Sequence, residues 1–522
     1  MDVLTLKQMI IHEAEAFRSG VTDAALMEAA GEAMALSIIT IYPHAHEFLI
    51  LIGKGNNGGD GLVVARYLTE NDRRVRVILT LPEEQLGELP RIQLKQLRTS
   101  FPHVTIAAWN EYADFPDSDG VVIDALLGMQ ARGPLRGVLA EVVAKLNAAR
   151  VANFFRTVAL DYPSGLAAYD EEIAPSHRDV AVVADVTLAV GFPKNVLIRE
   201  ALSAWVGRLE IVPWGRTSHR PTSRQVLVGH ELANLLPRRS ALAHKNDFGR
   251  LAIVAGSIGF TGAPILCAQA GQATGAGLIS IVTQSDVNWV IAAQAPPEAM
   301  VSGWPTTAET PPVIQNASAI AIGPGLGIEA HTVEMLLAVL AVGCPVLIDA
   351  DGLSALALNL DLLSAAKGPV LLTPHPGEMA RLIGRKFETD EREAVARAFV
   401  DQHHVTLVLK GTRTLVTAPG QPSFINTTGN PGLSTGGSGD TLSGIIAALL
   451  AQGLAPLEAA RLGVWLHGHA ADLALAEREC EEGLTPTMVC SYLGEALVSL
   501  RAQATAPVGL IERAKSFHQT QF

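Results

Sequence analysis

The chain has 522 residues, 48% hydrophobic and 17% charged, which is long enough for two substantial domains and too apolar for long disordered tails. A formal net charge of −13 argues against nonspecific attraction to nucleic acid or anionic lipid, and neither is expected as a partner. Four cysteines, Cys267, Cys344, Cys480 and Cys490, lack any CxxC pair and fit neither a disulfide scaffold nor a zinc site, so they read as small core residues in a reducing compartment.

The opening stretch, MDVLTLKQMIIHEAEAF, carries acids where a signal peptide keeps a basic flank and an apolar core. No stretch reaches the roughly 18 uninterrupted apolar residues of a spanning helix. A soluble cytoplasmic protein with no membrane partner is expected. Short apolar runs then follow: FLILIG at 48–53, VRVILT at 75–80, GVVIDALLG at 120–128 and TVALDYPSG at 157–165, separated by segments of helical period. Strands spaced by helices predict a mostly parallel sheet covered on both faces, with ligands bound outside the carboxyl ends of its strands.

PWGRTSHRPTSRQ at 213–225 breaks this pattern with the composition of an exposed connection, and the domain boundary is expected there. The alternation restarts with RLAIVAGS at 250–257, LISIVT at 278–283, SAIAIGPG at 318–325, PVLIDADG at 345–352, PVLLTPHPGE at 369–378 and TLVLKGTRTLV at 406–416. The second half therefore reads as another, larger α/β unit.

TGGSGDTLSG at 435–444 sets four glycines around Asp440 and runs into the apolar stretch IIAALLAQGL. Small residues leave backbone N–H groups uncovered, and a following helix adds its positive end, so Gly436, Gly437, Ser438 and Gly439 predict an anion hole. An ionised acid beside a phosphate is awkward unless it orients a hydroxyl and takes its proton. The loop alone is equally readable as a glycine-rich turn with an incidental acid. Upstream, Lys410 ends a strand beside a glycine, where it would reach phosphates or simply lie on a surface hairpin. His375 sits between two prolines that fix φ on both sides. GPGLG at 323–327 follows a strand but lacks the full dinucleotide-binding spacing. His467 and His469 are two apart, diverge on a helix and read as structural.

Taken in order, HKNDFGRLAIVAGSIGFTGAP, AIGPGLG, DADGLSAL, TPHPGEMARLIG, LVLKGT and NPGLSTGGSGDTLSGIIAALLAQGL resemble the carbohydrate-dehydratase branch of the ribokinase-like superfamily, the ADP- or ATP-dependent dehydratases of hydrated NAD(P)H. The resemblance spans about residues 225–500. It implies a ribokinase-like three-layer sheet and, as substrates, NADHX and NADPHX, the reduced cofactors with water added at carbon 6 of the nicotinamide ring. Hydroxide is a poor leaving group, so ADP would first phosphorylate the 6-hydroxyl and phosphate would then depart. By resemblance Asp440 is the base and touches the ring, Ala263, Gly325 and His375 contact the damaged cofactor, and Gly439 with Lys410, Gly411, Thr412, Arg413 and Thr414 binds the nucleotide. Magnesium is expected with the phosphates.

VLTLKQM at 3–9, LMEAAGEAMA at 26–35, GKGNNGGDGLVVAR from 53, DALLG at 124–128 and DYPSG at 161–165 resemble the NAD(P)HX epimerase domain over about residues 1–215. This implies a Rossmann-like three-layer sheet that interconverts the R and S epimers. Asn57, Asp124 and Ser164 match the family's potassium ligands, and oxygen donors suit that hard cation. Asn56, Asn57, Gly58, Gly59, Asp60, Gly128 and Asp161 match its substrate contacts, with Asp161 the candidate for proton transfer. An ordinary Asp, with a pKa of about 3.9, would need desolvation or a cation to serve as a base near neutrality. After DALLG this chain continues MQARGPLRG, with Gln130 where the family commonly has glycine, and a bulkier residue there is expected to reshape the substrate pocket or weaken epimerisation. A homo-oligomer is the expected assembly. The rival readings are a vitamin-precursor kinase of the same superfamily, and a noncatalytic binding module in the first half.

Overall fold

Residues 48–52, FLILI, point alternately to opposite faces of a strand, yet each is buried, so both faces of their sheet are covered. The structure is a computed structural model that describes residues 1–111, 114–131, 134–166, 181–213, 222–236, 238–304, 309–478 and 480–504, with 510 and 513. It divides between Thr222 and Ser223: Met1–Thr222 together with Ala506–Phe522 forms one unit, and Ser223–Thr505 forms the other. Residues 214–221 of the Pro- and Ser-rich connection, and all of the tail after 505 except Leu510 and Arg513, lie outside the described residues. Within the first unit Arg513 pairs with Glu32 at 3.0 Å, so the two chain ends share one unit.

The strands of the first unit are β1 (Glu47–Ile52), β2 (Arg74–Leu79), β3 (Thr105–Ala108), β4 (Gly120–Ala125), β5 (Arg156–Leu160), β6 (Val186–Gly191) and β7 (Arg208–Pro213). Their order is β3-β2-β1-β4-β5-β6-β7, with every pairing parallel. This is a Rossmann-like three-layer α/β sheet, and its order reverses between β1 and β4, which opens a crevice at their carboxyl ends. The helix Asp23–Ile41 is the one described helix long and apolar enough to cross a membrane. Here it buries Ala29, Met34 and Ile38, and its Gly31 lies so close to Val63 of the helix Asn56–Glu70 that a Cβ would come within 2.3 Å.

The second unit holds β8 (Arg224–Val226), β9 (Arg250–Val254), β10 (Leu278–Gln284), β11 (Ala299–Trp304), β12 (Ala319–Ile322), β13 (Val346–Ile348), β14 (Val370–Leu372), β15 (Thr406–Leu409), β16 (Leu415–Thr417) and β17 (Ser423–Ile425). The order is β11-β10-β9-β12-β13-β14-β15-β16-β17-β8. It is parallel from β11 to β15 and then antiparallel through β16 and β17. Its reversal lies between β9 and β12. The helix Ser438–Ala451, buried at every residue from Thr441 onward, packs on the helix Gly262–Thr274, with Gly444 against the Cys267 carbonyl. Gly444 and Gly271, whose added Cβ would lie 3.6 Å from the Gly444 carbonyl oxygen, let the helices approach without a side chain between them.

The cysteines are all free, but only Cys267 and Cys490 are core residues; Cys344 is partly exposed and Cys480 exposed. The expectation of four buried thiols is corrected because Cys480 lies just beyond the end of the helix Pro456–Arg478, in a turn rich in glutamate.

Candidate active sites

In the second unit the helix Ser438–Ala451 starts in the glycine loop itself, with Gly437 at φ 93 as its N-cap. Only glycine adopts that conformation without strain. Asp440 therefore lies in the first helical turn, next to the uncovered amides, rather than ahead of the helix. Burial and then the charge of Asp349 push its carboxyl up to about 6, against the opposing pull of Lys410. An acid at that value is ionised at neutral pH and still a competent proton acceptor.

Lys410 ends β15, in the hairpin that leads to β16, but its side chain turns inward rather than onto the surface. Its ammonium donates to Asp349 Oδ1 at 2.7 Å and lies 3.7 Å from Glu378 Oε2. Asp349, buried at the carboxyl end of β13, accepts from Ser443 Oγ at 2.7 Å through its other oxygen. A Cβ placed on Gly439 would lie 3.5 Å from Lys410 Nζ and 3.8 Å from Asp349 Oδ2. The carboxyl ends of three strands and one helix amino end thus converge on one cation and a set of bare amides. The buried Arg392 holds the Lys410–Thr414 loop from behind, donating to the carbonyl oxygens of Leu409 and Lys410 at 3.1 Å. Within that loop Thr414 Oγ1 donates to the Gly411 carbonyl at 2.9 Å, Thr412 is exposed, and Arg413 is buried.

His375 caps the helix Pro376–Leu382, its Nδ1 accepting from the amides of Gly377 at 3.0 Å and Glu378 at 3.3 Å. Burial and the charge of Lys410 hold its pKa below the usual value, which suits an acceptor nitrogen. Ala263 and Gly325 meet at the reversal between β9 and β12: a Cβ on Gly325, whose φ is 58, would lie 3.1 Å from Ala263 Cβ and 2.8 Å from Phe260 Cβ. The helix that carries Ala263 is tied to the acid loop, since Gly437 abuts Leu266, and Gly327 N donates to Asp351 Oδ2 at 2.9 Å in the helix Ala350–Leu358. His467 and His469 part company, as expected. His469 bonds Ser499 Oγ at 2.9 Å, while burial drives the His467 pKa down to about 4.

In the first unit the helix Asn56–Glu70 follows β1 after three residues, which puts the amides of Asn57 and Gly58 in its first turn at the reversal, while Gly59 N donates to the Gly55 carbonyl at 3.3 Å. Asn57 Nδ2 donates to the Leu127 carbonyl at 3.0 Å, Leu127 N donates to Ser164 Oγ at 2.9 Å, and Ser164 Oγ donates to Asp124 Oδ1 at 2.7 Å. Asp124 is fully buried, which pushes its carboxyl up to about 6 against the bonds from Ser164 and Leu126. Asn57 Oδ1 is buried with no hydrogen-bond partner. A buried carboxylate, a hydroxyl and an orphaned amide oxygen linked in one chain are oxygen donors that fit a hard cation.

Asp161 follows β5 with φ 63, a conformation that costs a non-glycine residue about 1–2 kcal/mol. Its Oδ2 accepts from Met129 N at 3.3 Å and would lie 3.8 Å from a Cβ on Gly128. Asp60 is held well toward its protonated form, by burial first and then by the charges of Asp161 and Glu13. Asn56 is exposed at the mouth. Gln130 is exposed as well, and the loop reaches Asp161 through a backbone amide, which any residue supplies; Arg132 and Gly133 of that loop lie outside the described residues. Sequence reasoning missed Asp349, Ser443, Glu378, Glu13 and Lys194. Asp349 had a signal, an acid at a strand's carboxyl end in PVLIDADG; Lys194 had a fainter one, a lone cation in GFPKNVLI.

Two α/β sheets, each with a glycine-rich helix amino end and carboxylates beyond the carboxyl ends of its strands, define a two-domain α/β protein of enzyme type. The family described as NAD(P)H-hydrate dehydratase matches residues 251–494, and that described as YjeF-related protein N-terminus matches residues 23–196. The bifunctional NAD(P)H-hydrate repair enzyme Nnr of Moorella thermoacetica is 36% identical over 455 residues, 82% of this chain and 83% of that protein. Its counterpart from Coxiella burnetii is 34% identical over 489 residues, 92% of this chain and 96% of that protein. The ADP/ATP-dependent NAD(P)H-hydrate dehydratase of Bacillus subtilis, solved with ATP and Mg2+, is 29% identical with a TM-score of 0.46, covering 53% of this chain and 98% of that one. The chain belongs to the family of bifunctional NAD(P)H-hydrate repair enzymes.

Proposed function

We propose that the second unit dehydrates S-NAD(P)HX to NAD(P)H with ADP, and that the first unit interconverts the R and S epimers. The observation that carries this is Asp440, a carboxyl at about 6 in the first turn of a glycine-capped helix, beside the Lys410 ammonium. Lys410–Thr414 and Gly439 cradle the nucleotide phosphates, while Ala263, Gly325 and His375 receive the damaged ring. Asp440 takes the proton of the 6-hydroxyl as its oxygen attacks the terminal phosphorus of ADP, the phosphoanhydride bond breaks, and AMP leaves. The C6–O bond then breaks with the help of the ring-nitrogen lone pair, and carbon 5 loses a proton. The products are NAD(P)H and phosphate. Positioning and charge stabilisation by the amides and Lys410 supply most of the catalysis.

In the first unit the C6–O bond breaks as the ring nitrogen forms a C=N bond. Water adds to the opposite face of carbon 6, and Asp161 takes its proton and hands it to the departed hydroxide, so that no net proton is gained or lost. Asn57, Asp124 and Ser164 would hold potassium, which supplies a fixed positive charge beside the substrate loop. Magnesium would arrive with the nucleotide, because among the described residues no three His, Cys, Asp or Glu side chains gather into a cage.

The test is purified protein with epimer-mixed NADHX and ADP, ATP or neither, followed by the return of reduced-nicotinamide absorbance. Recovery with ADP is expected, and no recovery with either nucleotide would sink the dehydratase reading. R-NADHX that disappears only as fast as it epimerises spontaneously would sink the epimerase reading.

A further inference from the structure

Asp161 is held by a residue outside every motif considered so far. Lys194, just beyond β6, brings its ammonium to 2.6 Å from Asp161 Oδ1 and 2.5 Å from the Val190 carbonyl oxygen, with a side chain only 2% exposed. A lysine buried to that degree is rare, and an apolar side chain of the same volume would be at least as stabilising in a role of pure packing. The cost falls on the same residue pair as the left-handed backbone of Asp161. Two such costs at one carboxylate are the mark of a site rather than a core.

The ammonium also decides which oxygen of Asp161 is presented. Oδ1 is taken by Lys194, with Val190 N at 3.4 Å, whereas Oδ2 faces Gly128 and the Met129 amide, the loop expected to line the substrate. Among the described residues two acids also act on the pair: Glu13 from the helix Leu6–Arg18 and Asp60 from the helix Asn56–Glu70. Burial, and next the charge of Asp161, raise Glu13 to about 7, and burial with the charges of Asp161 and Glu13 raises Asp60 well above its usual value. Lys194 is thus the fixed cation among three carboxyls.

The lysine is itself held by the start of the chain. Leu4 N donates to the Pro193 carbonyl at 2.9 Å and Asn195 N donates to the Leu4 carbonyl at 3.0 Å, an isolated parallel bridge centred on Lys194. Leu4 is 1% exposed, and the rings of His12 and Phe192 lie 5.4 Å apart on the same flank.

Resting on the epimerase reading of the first unit, we infer that Lys194 is the positioning residue of that site: its ammonium turns Asp161 Oδ2 toward the substrate, and the bridge to Leu4 holds the ammonium in place. The experiment uses the full-length chain and Lys194→Met and Lys194→Arg variants. R-NADHX consumption is measured with ADP in excess, and S-NADHX dehydration serves as the internal measure of folded protein. Lys194→Met should lower kcat for epimerisation by about 100-fold, the scale of a catalytic group displaced by 1 Å, with KM changed less than about threefold. Lys194→Arg should restore at least about tenfold of that loss, and dehydration of S-NADHX should be unchanged in both.

Epimerisation by Lys194→Met within about threefold of wild type overturns the inference alone. So does equal inactivity of both variants accompanied by an equal fall in the Tm of the first unit, because a packing role predicts that pattern. Wild-type epimerisation no faster than the spontaneous rate overturns the epimerase reading, and the inference with it.

Discussion

Lys410 Nζ and Asp349 Oδ1 stand 2.7 Å apart, one at the end of β15 and the other at the end of β13, and Gly439 lies against both. The pair joins the nucleotide loop to the helix of Asp440, because Asp349 also accepts from Ser443 in that helix. Replacing Asp349 with Asn leaves a buried ammonium facing a neutral amide. The second unit should lose about 3 kcal/mol, the lower end of what breaking a buried pair costs. Denaturant melts of the variant, read by a probe in the second unit, check this, and dehydratase kcat should fall with it.

Asp440→Asn removes the proton acceptor while keeping its size and its place in the first turn. Nucleotide-dependent recovery of NADH should drop by about 10³-fold, within the range typical of a general base, while R-to-S conversion continues unchanged. Loss of both activities would point to misfolding instead.

The pH dependence of the second unit follows from the same carboxyl. With Asp440 at about 6, kcat/KM for dehydration should rise through pH 6 and level above it. Stability runs the other way. The folded chain holds this proton more tightly than the unfolded chain, whose group titrates near 3.8, so the contribution of Asp440 to stability declines between pH 3.8 and 6 as pH rises. A pH-rate profile set beside the difference in Tm between the wild type and Asp440→Asn over the same pH series should show opposite slopes in that window, and an acid limb whose midpoint lies below pH 5 would contradict the assignment.

Exchanging potassium for choline should slow epimerisation and leave dehydration untouched, because Asn57, Asp124 and Ser164 all belong to the first unit. Ser164→Ala removes one hydroxyl from the set and opens the chain between Leu127 and Asp124. Its epimerisation should require at least about tenfold more potassium for half-maximal rate, about 1.4 kcal/mol of ion affinity, measured by titrating KCl at constant ionic strength.

Gly325→Ala introduces a side chain at φ 58, with its Cβ 2.8 Å from Phe260 Cβ. The backbone strain alone is about 1–2 kcal/mol, and the displaced Phe260 loop borders the expected ring contact at Ala263. KM for S-NADHX should rise several-fold with little change in KM for ADP.

Much of this site was legible because its motifs are local. The run TGGSGDTLSG carries its own reason to be an anion loop, and the helix amino end it predicts is present, although the helix begins at Ser438 rather than at the apolar run. Lys410 taken alone reads more readily as a surface lysine on a hairpin than as a phosphate ligand. The hairpin from β15 to β16 is real, and what turns its lysine inward is Asp349, 61 residues away. Gln130 is a different case: its side chain is exposed, and the loop meets Asp161 through the Met129 amide.

By itself the sequence determined two α/β units, the joint between them, the glycine loops and the acids Asp440 and Asp161, since periodicity, glycine placement and motif spacing are properties of neighbouring residues. Only the tertiary structure decided which charges those acids meet. Asp349 beside Lys410, Glu13 and Lys194 around Asp161, and Leu4 bridged to Lys194 are pairings between distant segments, fixed by strand order and by the high cost of burying a charge without a partner.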